Sequence, residues 1–134
     1  MPEPLVDLER YIPAKHKQMI KDWAYAREFE FQELPIFGII GSYGGQPIAA
    51  GFLRMVEGPY ALLDSLITDP NAPPEHRHQI LDFVVNKILL LAEDMNINQV
   101  IAFTKDSHTL IRSERHGFKL LPHRVIARAI ERES

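Results

Sequence analysis

Two carboxylates and one short cationic run stand where the local sequence gives them chemical use. Asp64 interrupts the apolar stretch Tyr60-Ala61-Leu62-Leu63-Asp64-Ser65-Leu66-Ile67-Thr68. A carboxylate on such a strand can serve as a general base. A solvent-facing strand position is the ordinary role for the same residue. Glu57, in the turn Glu57-Gly58-Pro59 just before that stretch, is the second candidate base. Past its end, Asn71-Ala72-Pro73-Pro74-Glu75-His76-Arg77-His78-Gln79-Ile80 places a guanidinium between two imidazoles. Arg77 can meet an oxyanion with fixed, paired N–H groups. His-x-His would turn both rings to one side of an extended segment, as metal sites use. There is no third ligand in register and no cysteine, so no metal is expected.

Those residues belong to a chain of 134 amino acids, the length of one domain, residues 1–134. At 46% apolar and 25% charged residues it can build a core without staples. Zero cysteines excludes disulfides and thiolate metal sites. The net charge of −3 argues against general nucleic-acid affinity. Its distribution is uneven: Arg112, Arg115, Lys119, Arg124, Arg128 and Arg132 face only Glu114 and Glu131 in the same run. That run is either a solvated face or a surface for an anionic partner. Met1-Pro2-Glu3-Pro4 has no basic-then-apolar pattern of a secretory signal, and no apolar run approaches the roughly 20 residues that span a bilayer. The expected location is the cytoplasm, with no membrane contact.

Periodicity sets out the secondary structure around the candidates. Leu5–Leu8 reads as a short strand. Pro13 followed by Met19, Ile20, Trp23 and Ala24 predicts an amphipathic helix over residues 13–28. Phe37–Tyr43 and Ile48–Val56 are β-rich and flank Gly44-Gly45-Gln46-Pro47, a hairpin signal. Tyr60–Thr68 makes a third strand, stopped by Pro70. From Ile80 onward a broad apolar arc, including Phe83, Val84 and Ile88, predicts a helix buried on a sheet, with Trp23 and Phe83 in the core. Gln99–Thr104 then reads as a strand parallel to Tyr60–Thr68, because strand–helix–strand returns are parallel crossovers. Ser107 opens a short helix to His116 that Gly117 ends, and Arg124–Ile130 alternates like a last strand.

This order, with Ile67-Thr68-Asp69-Pro70 before the loop and Arg115-His116-Gly117-Phe118 at the later corner, resembles the GNAT superfamily of N-acyltransferases. The resemblance covers about residues 36–130, with residues 5–28 fitting the family's first strand and helix. It implies an α+β fold: a mostly antiparallel central sheet with one parallel β-α-β crossover and helices on both faces. It also implies acetyl-CoA as cofactor and a small-molecule or protein amine as acceptor. The backbone of Leu66, Ile67 and Thr68 would then meet the pantetheine arm, and Arg77, His78 and Gln79 the pyrophosphate. Asp106 matches the Asn that often opens the following helix. Ser113 stands where the family often places a Tyr acid, and its hydroxyl is too weak an acid to replace it. The family's phosphate loop, Gln/Arg-x-x-Gly-x-Gly/Ala, converges backbone N–H groups on the anion. Here His78 and Ile80 stand at the glycine positions and Pro73 and Pro74 bring no donors, so weak cofactor binding is expected. With no glycine in that loop, this compact chain resembles GNAT-like proteins encoded by bacteriophages. That similarity implies an alternative: a non-catalytic accessory or virion-associated protein acting through a protein partner or homodimer, in host cytoplasm or virion.

Overall fold

The computed structural model describes residues 5–28, 33–104, 107–122 and 124–130. Asp106 lies outside them. By internal contacts the chain forms two compact units, residues 1–103 and 104–134.

The first unit is built on a five-stranded sheet: β1 (Val6–Arg10), β2 (Gly38–Tyr43), β3 (Gln46–Met55), β4 (Tyr60–Thr68) and β5 (Gln99–Ile101), side by side in that order. The first four pair antiparallel; β4 and β5 pair parallel, with Tyr60 opposite Gln99 and Leu62 opposite Ile101. The β2–β3 hairpin turns on Gly44 and Gly45, at φ 59° and 83°. Both values are left-handed, which suits a two-residue turn whose twist matches the strands. The sheet is mixed, as expected, and the parallel pair is the expected one.

Period-two alternation sends neighbouring residues to opposite faces. Ile39, Ala49 and Leu53 pack in a core with α2 (Pro74–Asp94), while Ile40, Ala50 and Phe52 pack with Tyr11 and with Ile20 and Trp23 of α1 (Pro13–Ala26). Helices thus cover both faces. On α2, Ile80, Leu81, Val84, Val85, Ile88 and Ala92 are buried. Phe83 is not: it is 42% exposed, contrary to the core position expected from the sequence. At 100° per residue Phe83 falls on the flank away from Leu81, Val85 and Ala92, so a broad apolar arc overstates what the sheet covers. The helix sits close because two sheet glycines admit it. A Cβ on Gly41 would lie 2.5 Å from Ile80 Cγ2, and one on Gly51 2.9 Å from Ile88 Cδ1.

Helix α1 starts at Pro13, and the Ile12 N–H donates to Nδ1 of buried His16 at 2.9 Å. The ring proton therefore sits on Nε2 and is donated to Glu9 Oε1 at 3.1 Å. Lys15 Nζ donates to Glu9 Oε2 at 3.0 Å. The Lys15 hydrogen bond holds the Glu9 carboxyl below its ordinary value, burial opposes this, and His16 adds to the lowering. A carboxyl depressed in the folded state binds fewer protons there than when unfolded. Its contribution is present above the unfolded value, about pH 4.3, and is lost as pH falls through the folded one. Urea midpoints followed from neutral pH down to about pH 3 should drop less steeply in Glu9→Gln than in the native protein. Equal slopes would remove Glu9 from the acid limb.

In the second unit, α3 (Ser107–Arg115) ends at Gly117, φ 84°. Phe118 N–H donates to Ser113 O and Gly117 N–H to Glu114 O, both at 3.1 Å. This paired closure is the Schellman motif. Residues Arg124–Ile130 form no strand, contrary to the alternation read from the sequence. Val125 and Ile126 are 70% and 94% exposed. Alternation says which face a strand would bury; only a ladder partner makes it a strand. The expected strand over Gln99–Thr104 likewise shortens to Gln99–Ile101.

Candidate functional site

The site is built where β4 outlasts its parallel neighbour. The β4–β5 ladder ends at Leu62 and Ile101, whereas β4 continues to Thr68. On its other edge β4 stays paired with β3, from Ala61 opposite Met55 to Thr68 opposite Ala49. That pairing carries a bulge: Gly51 faces Leu66 and Phe52 faces Asp64, so Ser65 is the extra residue, at φ 61°. A bulge with one residue in the left-handed region bends the strand and re-aims the residues beyond it. Nothing in the sequence marks Ser65 for this role, since it is neither Gly nor Asn.

Beyond the bulge β4 has no ladder partner on the β5 side. Asp69 N–H donates to Ile48 O on β3 at 2.7 Å, and among the described residues no peptide is cis. Across a trans peptide the preceding carbonyl points the opposite way, so Thr68 C=O faces away from β3. Leu66 and Ile67 pack on opposite faces of the sheet, Leu66 with the α2 core and Ile67 with the α1 core.

The segment after β4 is shorter than the sequence suggested. Helix α2 begins at Pro74, not near Ile80, so Arg77, His78 and Gln79 lie in its first turns rather than in a loop. The reason is that proline at the first helical position costs nothing, its missing N–H being unpaired there anyway. The helical path also cancels the facing imidazoles expected of His76 and His78, because residues two apart on a helix diverge. His76 instead stacks on Tyr43, ring centroids 4.3 Å apart, tying the helix start to the end of β2.

Backbone donors are scarce at this corner. Asp69 consumes two N–H groups, Asn71 on its Oδ1 at 2.9 Å and Ala72 on its carbonyl at 3.2 Å. Arg77 N–H donates to Pro73 O at 3.0 Å, and Pro70, Pro73 and Pro74 have none. Within residues 69–77 that leaves the first-turn N–H groups of Glu75 and His76. The Glu75 carboxylate stands at the same helix end. Arg77 is half-buried there, and its charge adds to burial in holding the Arg27 guanidinium below its ordinary value, while Asp69 opposes both. Arg27, at the C-cap of α1, donates from Nη2 to Thr68 Oγ1 at 2.7 Å and from Nε to Thr68 O at 3.3 Å. Arg27 was missed in the sequence; its only signal is a cation closing a predicted helix.

Asp64 lies on the α1 side of β4. Arg54 Nε donates to its Oδ2 at 2.8 Å and Ser65 Oγ to its Oδ1 at 3.1 Å, with about a third of the side chain exposed. Arg54 also reaches Glu33 O at 3.3 Å. Glu57 is exposed in the β3–β4 turn, at the opposite end of β4 from Thr68. The two candidate bases are therefore not brought to one end of the sheet. Ser113 donates its hydroxyl to Leu110 O at 2.7 Å, within its own helix. Among the described residues no group of three or more His, Asp or Glu is placed to hold a metal, and no helix is long and apolar enough to cross a membrane.

No protein-family model matches this sequence, and no curated protein matches it. Solved structures do. Glucosamine-6-phosphate N-acetyltransferase from Arabidopsis thaliana superposes with a TM-score of 0.69 at 9% identity, covering 92% of this chain and 98% of that one. A GNAT-family acetyltransferase from Streptococcus pneumoniae gives 0.68 at 13% identity, over 96% and 100%. An aminoglycoside acetyltransferase from an uncultured soil sample gives 0.65 at 11% identity, over 96% and 97%. At such identities the likeness speaks of architecture. The chain has the GNAT fold.

Proposed function

We propose that this protein binds an acyl-CoA in the gap beside β4 and transfers the acyl group to an amine. The observation that carries this reading is the early end of the β4–β5 ladder together with the Ser65 bulge, which leaves the Leu66–Thr68 stretch of β4 without a ladder partner on the β5 side. An amide-bearing arm can add there as a strand would, by main-chain hydrogen bonds. The thioester supplies the activated acyl carbon. Leu66 and Thr68 would hold the arm and Arg77 would face the phosphates; as the amine nitrogen bonds the acyl carbon and the C–S bond breaks, Asp64 would take the amine's proton and the CoA thiolate would leave to be protonated by solvent. The corner after β4 fits phosphate only in part, since its donors are few and Glu75 repels an anion. Side-chain charge at Arg77 replaces a backbone nest.

Binding should accordingly be weak. At 100 times its dissociation constant a ligand adds about 2.7 kcal/mol to native stability, a melting shift of several degrees. Acetyl-CoA at about millimolar concentration should shift this protein by less than that, and Arg77→Ala should remove most of the shift. A full shift that survives Arg77→Ala would show that the loop backbone holds phosphate unaided. Acyl transfer to a panel of small amines, followed by release of free thiol, tests the catalytic half.

One observation favours a second reading, a GNAT-shaped binding protein without catalysis, such as a phage accessory or virion-associated subunit. The Ser113 proton is committed to Leu110 O, so that position has no acid to offer a departing thiolate. Saturable acetyl-CoA binding without thiol release would favour this reading.

A further inference from the structure

The gap beside β4 is not open along its whole length. Thr68 C=O points into it, and Arg27 already donates to that carbonyl and to the Thr68 hydroxyl. Three observations set this contact apart from an ordinary surface hydrogen bond. It joins residues 41 apart in sequence, from the C-cap of α1 to the last residue of β4. It is partly buried. It holds Arg27 partly out of water and under the charge of Arg77, which Asp69 partly offsets, and a guanidinium cannot escape such repulsion by losing its proton. Among the described residues no carboxylate forms an ion pair with either arginine.

We propose that Arg27 is a latch on the acyl-CoA gap, competing with an incoming amide N–H for the Thr68 carbonyl and leaving Thr68 when the arm docks. The inference rests on the reading of the gap given above. It adds a residue of α1 that sets how readily the gap fills. An amide N–H that docks at Thr68 must displace a charged donor, and a hydrogen bond from a charged group is stronger than one from a neutral amide. The latch therefore opposes docking by the difference between the two. On release, Arg27 would stand beside Arg77 at the helix end, where a bound diphosphate would offset their repulsion.

The test uses acetyl-pantetheine, which carries the amide arm without phosphates, so that loss of the Arg27 charge does not weaken its binding directly. Titrated calorimetrically against the intact protein, Arg27→Ala should bind it roughly ten-fold more tightly than the native chain. Thr68→Val, which removes only the hydroxyl acceptor, should move affinity in the same direction by less. Arg27→Met keeps the aliphatic stem and serves if the alanine variant fails to fold. In the native protein the Arg27 Nε–H resonance should shift on saturation, a response that a purely structural Arg27 would not give. Equal or weaker binding by the Arg27 variants, with the native chain still binding, overturns the latch and leaves the gap reading intact. No binding by any variant, to acetyl-pantetheine or to acetyl-CoA, overturns both.

Discussion

Phe52→Ala is expected to lower the unfolding free energy by about 3–5 kcal/mol, whereas Phe83→Ala should cost less than about 1 kcal/mol. The two residues are the same in type and differ in what surrounds them. Phe52 is fully buried between α1 and the sheet, with Tyr11 edge-on at 4.9 Å between ring centroids. Its ring lies so near Gly38 that a Cβ there would meet it at 2.4 Å. Truncation removes the transfer energy of the ring and leaves a cavity bounded by β-strands on one side, which cannot collapse freely. Phe83 already faces water over much of its surface. Urea unfolding of the two variants decides the matter. A large loss at Phe83 would mean that its flank of α2 is covered by something other than the sheet.

The second large effect is expected at Gly41. Gly41→Val should destabilise by about 1–3 kcal/mol, because the added atoms enter space held by Ile80 and Val84. The approach is 2.5 Å to Ile80 Cγ2 and 2.7 Å to Val84 Cγ2, and both neighbours sit on the face of α2 that is pressed to the sheet. Ile80→Ala combined with Gly41→Val should cost less than the sum of the two single changes, since the first makes the room that the second needs. Strict additivity would show that Gly41 is needed for its backbone rather than for the clearance. The same clash should weaken any anion binding at Arg77, because Ile80 stands less than one turn away on the same helix.

Much of this architecture was legible because it rests on residues with few alternatives. Gly44-Gly45 specifies a left-handed turn, and Tyr60–Thr68 is bounded by Gly58-Pro59 and Pro70, so the hairpin and β4 appear where the sequence places them. The parallel β4–β5 pair results from the crossover through α2. The parts that could not be read depend on tertiary choice. Pro73-Pro74 marks a loop and a helix start equally well, and the chain uses it for the start. The Ser65 bulge arises because β3 and β4 must keep register across Gly51, a property of the pair and not of either segment. Of the candidate site residues, Thr68, Arg77, Leu66 and Ile67 gather at one end of the sheet, while Glu57 is at the other. Arg27 was invisible because its partner lies across the fold.

The brevity of the β4–β5 ladder has a kinetic side. Three paired positions hold β5 to the sheet, helped by the Asn98 N–H donating to Pro59 O at 2.6 Å. The β3–β4 ladder has seven paired positions, and β3 is flanked by β2 on its other edge. Amide exchange should therefore be graded across the sheet, with β5 opening in local events far below the global unfolding energy while the β2 and β3 amides wait for it. A molecule that wedges into the gap would widen it at the expense of a few weak pairings and of the Val100 contact with the α2-side core, leaving the α1-side core untouched. Deuterium uptake resolved by strand would show whether the sheet unzips from this edge.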